Sequence, residues 1–175
     1  MKVLIDIDDT ITNFCVVLLK KLNEIYHTNY TKKDITHWNW LRETFPNPWL
    51  PLEQKEFWDE IVVDENSINF IENLVKSGME VYLVTAAFPS DALGYKLRKT
   101  LSFFNENLIN YRNIIVCYDK HIIKGDIRID DAIHNLTDRN STNFLMSQPW
   151  NENVNAEKYC NFIRINSIKD LEFLL

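Results

Sequence analysis

The chain opens MKVLIDIDDTITNF, and this stretch constrains the fold more than any other: the apolar run Val3, Leu4, Ile5 runs straight into three carboxylates, Asp6, Asp8 and Asp9. A run this short and rich in β-branched residues is a buried strand rather than a helix. Acids directly after it lie at the strand's carboxyl end, where open α/β sheets bind their ligands.

The pattern recurs along the chain. Glu80 to Thr85 (EVYLVT), Ile114 to Lys120 (IIVCYDK), Ile127 to Asp131 (IRIDD), Asn143 to Met146 (NFLM) and Phe162 to Ile165 (FIRI) are further short apolar runs, most of them ending in polar residues. Between them, Phe14 to Tyr26, Leu52 to Trp58, Ser67 to Lys76 and a stretch around Ala92 to Phe104 carry helical periodicity, and a last short helix begins at Ser167. Gly78 reads as the C-cap of the helix before the second strand. The polar, aromatic stretch from His27 to Pro51 has no strand period and reads as inserted. Strands alternating with helices predict an α/β fold with a parallel sheet covered by helices.

Such a sheet brings the strand ends to one edge. Asp6 and Asp8 end the first strand, Thr85 the second, Asp119 and Lys120 the third, and Asp130 and Asp131 the fourth. Residues more than a hundred positions apart then share one site. The formal charge of -6, from 25 acidic and 19 basic residues, argues against a broad footprint for duplex nucleic acid. A small anionic substrate would need cations placed locally, and Lys120 supplies one.

These residue types suit phosphoryl transfer. Asp6 and Asp131, with a backbone carbonyl, form a hard oxygen set for Mg²⁺. With phosphate charge neutralised, Asp6 can act as nucleophile and form an aspartyl-phosphate, dividing one displacement into two. Asp8 stands two residues on, the spacing that shares a strand face, and can protonate the leaving oxygen and then deprotonate water. Thr85 can donate its hydroxyl to the phosphate, and Lys120 can cover charge the metal leaves.

Each residue has a plainer use. D-x-D-x-T starts like a calcium loop, but the sixth and twelfth positions, which would be Gly and Glu, hold Ile11 and Val17. Asp9 or Thr10 is expected to cap a helix N-terminus. Lys124, beside Gly125, competes with Lys120 for the phosphate role. Adjacent acids such as Asp130 and Asp131 repel unless a cation or donor compensates, which makes that pair the stronger signal.

DIDDT at 6 to 10 resembles the first motif of the haloacid dehalogenase superfamily, with Thr85, Lys120 and Asp130-Asp131 in the order of its other three. A narrower resemblance is to the 5'(3')-deoxyribonucleotidases, through Phe14 after the first motif, the helical stretch following it, and DKHIIKGDIRIDD at 119 to 131. The late run NFLMSQPWNEN at 143 to 153 resembles that family's strand and polar loop. The resemblance implies a Rossmann-like three-layer parallel sheet core, residues 1–14 and 71–175, with a small helical cap inserted after the first strand, residues 15–70. It also implies a Mg²⁺-dependent phosphatase of deoxyribonucleoside 5'(3')-monophosphates, with Asp6 as nucleophile and metal ligand and Asp8 as acid/base lending its carbonyl to the metal. Asp131 would be the third ligand, Asp130 would support it from behind, and Phe14 would lie against base or sugar. Ala86 stands where the family often has Ser, which removes one hydroxyl from the phosphate side. The resemblance admits a homodimer.

In the cap segment ITHWNW, Trp38 and Trp40 are expected over the catalytic edge, where aromatic rings stack on a nucleobase. Trp49 and Trp58 are expected to serve packing, as are Cys15, Cys117 and Cys160, which show no metal-ligand spacing. The chain lacks an apolar stretch long enough for a membrane span and a signal-peptide core at its start, so no membrane contact and a cytoplasmic address are expected. A phosphatase of another small metabolite would keep every motif and alter the cap. A phosphoacceptor regulator would also use Mg²⁺, acids, Thr and Lys, but with its reactive Asp on a third strand.

Overall fold

The computed structural model describes residues 1–86, 90–154 and 161–173. Six strands form one all-parallel sheet: β1 (Lys2–Asp6), β2 (Glu80–Thr85), β3 (Ile114–Val116), β4 (Ile127–Asp130), β5 (Thr142–Met146) and β6 (Ile163–Ile165), in the order β3-β2-β1-β4-β5-β6. Helices α1 (Phe14–Tyr26), α2 (Trp40–Thr44), α3 (Lys55–Asp59), α4 (Glu65–Lys76) and α5 (Ser90–Leu101) accompany it. The strand order reverses between β1 and β4, so their carboxyl ends splay apart and open a crevice.

The sheet is buried because its strands are apolar on both faces. Val3, Ile5, Val81, Leu83, Ile127, Ile129 and Phe144 join Phe70, Ile71 and Leu74 of α4 in one cluster. Asp64 caps α4 by accepting the Ser67 N–H at 3.1 Å, and Gly78 follows the helix at φ +83°, a conformation that favours glycine. A second cluster gathers Leu18, Leu19 and Leu22 of α1 with Ile35, Leu41, Phe45, Phe57 and Trp58. This cluster takes in the insertion up to Ile61 and also Ala92 of α5 and Trp150, so the insertion is seated on the core, whereas Val63 and α4 pack with the sheet.

Two elements differ from expectation. The third strand ends at Val116, and Lys120 lies on a 3-10 turn, Lys120–Ile122. The Cys117 N–H still reaches the Thr85 carbonyl at 2.8 Å, after which the edge chain turns away. The expected helix at 52 to 58 is a 3-10 turn, Leu50–Glu53, followed by α3, the two separated at Gln54, whose backbone is extended (φ -100°, ψ 131°).

Candidate active site

β1 delivers Asp6 to the crevice, and the chain then turns sharply through Asp9, whose φ of 55° is left-handed. That turn lets the Asp9 carboxylate accept the Cys15 N–H at 3.0 Å, capping α1 from a distance, while Asn13 makes no side-chain cap. Thr10 instead donates its hydroxyl to Asp6 at 3.1 Å.

Around Asp6 the chain assembles acids and lysines from distant segments. Asp6, Asp130 and Asp131 are buried, and each offers a carboxylate oxygen within 4.8 Å of the others. Lys120 contacts Asp6 directly and lies 3.4 Å from Asp130. Burial would lower the Lys120 pKa, but Asp130 and Asp6 outweigh it and hold the ammonium charged well above its usual range. Lys124, by contrast, is exposed and pairs with Asp138 at 3.2 Å. Of the two competing lysines, Lys120 is the one at the acids.

The two acids ending β4 have different surroundings. Asp130 is already satisfied: it accepts the Ala132 N–H at 2.9 Å and the Asn135 side-chain amide at 3.1 Å. Burial nonetheless raises its pKa to about 6, with Lys120 opposing. Asp131 accepts one hydrogen bond to its carboxylate among the described residues, from the Trp150 indole N–H at 2.9 Å. Its pKa is pushed well up, first by burial and then by Asp6 and Asp130. Ionising Asp131 therefore calls for a compensating cation more than ionising Asp130 does.

Asp8 lies beside this group but outside the three clustered acids, and its carboxylate is paired with Lys96 of α5. Burial raises the Asp8 pKa and lowers that of Lys96, each opposed by the other's charge. Thr85 is fully buried, and its hydroxyl has no hydrogen-bond partner among the described residues. An unpaired buried hydroxyl costs about 1–3 kcal/mol, which an incoming acceptor such as a phosphate oxygen would recover.

A cavity of about 610 Å³, within the range of small-molecule sites, opens over part of this group, whereas Thr85 and Asp130 lie outside its lining. Asp6, Asp8, Lys120 and Asp131 form its floor, with Phe14, Ala86 and Trp38 among its walls. Trp38 also meets the His134 ring edge-on at 4.7 Å, so insertion and core touch across the mouth. Trp40 departs from expectation. It lies outside the lining, packed edge-on against Tyr30 at 5.0 Å and Phe45 at 6.0 Å, because α2 turns it into the insertion's own core.

Other groups had no reading as site residues. Trp49, assigned to packing, lines the cavity, whereas Trp58 is buried and donates to the Leu52 carbonyl at 2.9 Å. Lys96 and Lys32 sit on helical stretches where lysine ordinarily faces water, and Trp150 lies in the run NFLMSQPWNEN, whose resemblance to the family assigned no role to it. The period of α5 carried the available signal, since Ala92 and Lys96, four apart, are both buried. Cys15 is buried and Cys117 half-buried, while Cys160 lies outside the described residues.

With this geometry in view, the chain matches the family model described as 5' nucleotidase, deoxy (pyrimidine), cytosolic type C protein over residues 1–174. The chain belongs to this family. It is 31% identical over 171 residues to a 5'(3')-deoxyribonucleotidase of Bacillus subtilis, covering 96% of this chain and 94% of the relative. A 5'(3')-deoxyribonucleotidase of Clostridium acetobutylicum is 27% identical over 159 residues, covering 86% and 84%. The fold is shared with a haloacid dehalogenase-like hydrolase of Burkholderia xenovorans, at a TM-score of 0.65 and 12% identity over 99% of this chain and 98% of that one. It is shared too with a Bacillus subtilis HAD hydrolase solved bound to magnesium, at a TM-score of 0.60 and 16% identity over 99% and 97%. The chain is thus a deoxyribonucleotidase-like phosphatase, a phosphoric monoester hydrolase, with the fold of haloacid dehalogenase-like hydrolases. Among its described residues no helix is long and apolar enough to cross a membrane.

Proposed function

We propose that the protein hydrolyses deoxyribonucleoside 5'- or 3'-monophosphates through an aspartyl-phosphate on Asp6. The observation that carries the reading is the meeting of Asp6, Lys120 and Asp131 at the β1/β4 crevice beneath a cavity of nucleotide dimensions. Five carboxylates, at 6, 8, 9, 130 and 131, face three lysines, at 32, 96 and 120, an excess that a divalent cation would neutralise. Clustered hard oxygens fit Mg²⁺, and Asp6, Asp131 and the Asp8 carbonyl would hold it. Bound there, it would supply charge neutralisation for the phosphate.

In the first step an Asp6 oxygen attacks phosphorus as the ester P–O bond breaks, and Asp8 gives its proton to the leaving alkoxide. In the second, water attacks the same phosphorus, Asp8 takes the water's proton, and inorganic phosphate leaves with Asp6 restored. Lys120 and the Thr85 hydroxyl would bind phosphate oxygens, and Asp130, held by Ala132 and Asn135, would keep Lys120 in place. Phe14, Trp38 and Ala86 would border the nucleoside. Residues 15 to 61 would act as the cap that excludes water, a shorter span than the 15–70 expected from the sequence because Val63 and α4 pack with the sheet. The family's name supports a cytoplasmic address, and a homodimer is part of the same proposal.

Phosphate release from deoxyribonucleotides, ribonucleotides and sugar phosphates, with Mg²⁺ and with chelator, tests the reading. Metal-dependent release favouring deoxynucleotides supports it. Release from sugar phosphates alone would favour the second reading, a phosphatase of another metabolite, for which the Ala86 departure speaks. The phosphoacceptor regulator is not retained, because the family is one of hydrolases.

A further inference from the structure

We propose that Trp150 is a positioning residue that ties the seating of the insertion to the metal-binding carboxylate of Asp131; the inference rests on the Mg²⁺ reading above. Trp150 lies on a 3-10 turn, Pro149–Asn151, that is fastened to both acid loops. The Gln148 side chain donates to the Asp9 carbonyl at 2.5 Å. The Asn151 amide donates to the Asp131 and Met146 carbonyls, each at 2.8 Å. The indole on this turn therefore cannot shift without moving Asp9 or Asp131.

An indole N–H is a donor only, and when buried it needs an acceptor. Here the acceptor is Asp131 Oδ2 at 2.9 Å, and no other group donates to that carboxylate among the described residues. Occupying one oxygen fixes the carboxylate's rotation and leaves the other for a cation, as partners behind metal ligands generally do. On the insertion side, the Lys32 ammonium lies 5.3 Å from the Trp150 ring centroid and 2.9 Å from Asp9 Oδ1. Lys32 belongs to the insertion's 3-10 turn, Lys32–Asp34, so the insertion reaches Asp131 by two routes, through the indole and through Asp9, whose charge also acts on Asp131.

Mg²⁺ titration of the full chain by calorimetry, without substrate, reads the effect directly. Trp150→Phe keeps an aromatic ring and loses the donor, and should weaken Mg²⁺ binding about tenfold or more at a temperature where the metal-free variant is still fully folded. Lys32→Met also unpairs Asp9, so the link through the indole is the part of its effect on Mg²⁺ binding that disappears in the Trp150→Phe background. Mg²⁺ affinity of Trp150→Phe within about twofold of wild type would overturn the positioning role. Equal losses from Lys32→Met in both backgrounds would overturn the link through the indole. A wild-type chain that does not bind Mg²⁺ would instead refute the metal reading, and this inference with it.

Discussion

Lys96, from the middle of α5, is almost wholly buried and makes its ion pair with Asp8, 88 residues away in the chain. Burying a lysine costs more than such a pair usually returns, so stability alone does not explain it. Its ammonium also lies 5.8 Å from the Phe14 ring centroid, joining the acid loop to the start of α1.

Removing one partner should therefore hurt more than removing both. Lys96→Met should destabilise the fold by about 1–3 kcal/mol, because the half-buried Asp8 carboxylate loses its partner. Adding Asp8→Asn to it should recover part of that loss. Urea unfolding of the two single variants and the double variant measures the coupling, and additive losses would show that the pair is not what holds Lys96 inside.

Asp6→Asn should lower phosphate release by about a thousandfold or more, since an amide is a poor nucleophile and a poorer metal ligand. Its circular dichroism should match the wild type. Turnover near the wild-type rate would remove the covalent step.

The two tryptophans of the insertion should separate cleanly. Trp38→Ala, at the cavity wall, should raise KM for a deoxynucleotide about tenfold, in keeping with about 1–3 kcal/mol for base stacking. Trp40→Ala, packed against Tyr30 and Phe45, should lower the melting temperature and leave KM in place. Equal KM effects would mean that the wall is drawn wrongly.

Metal stabilisation should depend on pH in a fixed direction. The Asp130 pKa is raised to about 6 in the fold, so between about pH 4 and 6 the folded state binds more protons than the unfolded chain. The contribution of this group therefore falls as pH rises through that window. Mg²⁺ needs ionised carboxylates and competes with those protons. The rise in melting temperature on adding Mg²⁺ should be larger at about pH 7.5 than at about pH 5. An equal rise at both would disconnect the acid cluster from the metal.

Much of this site was legible because it is written at strand ends. Asp6, Thr85, Asp130 and Asp131 each follow a short apolar run, and a parallel sheet brings such ends together. Lys120 was legible by its motif, although its strand stops at Val116. Lys32, Lys96 and Trp150 were not, since a lysine on a helix or a tryptophan after a strand reads as surface or packing until its partner is known.

The sequence by itself determined the alternation of strands and helices, the parallel sheet and the order in which acids reach its edge. Those follow from local periodicity, which depends on residues a few positions apart. Tertiary structure decided which lysine neutralises which acid and which tryptophan faces the cavity. Asp6 meets Lys120 across 114 residues, and Trp38 and Trp40, two positions apart, face different surroundings because the chain turns between them. Such pairings arise from packing between distant segments, and no local pattern encodes them.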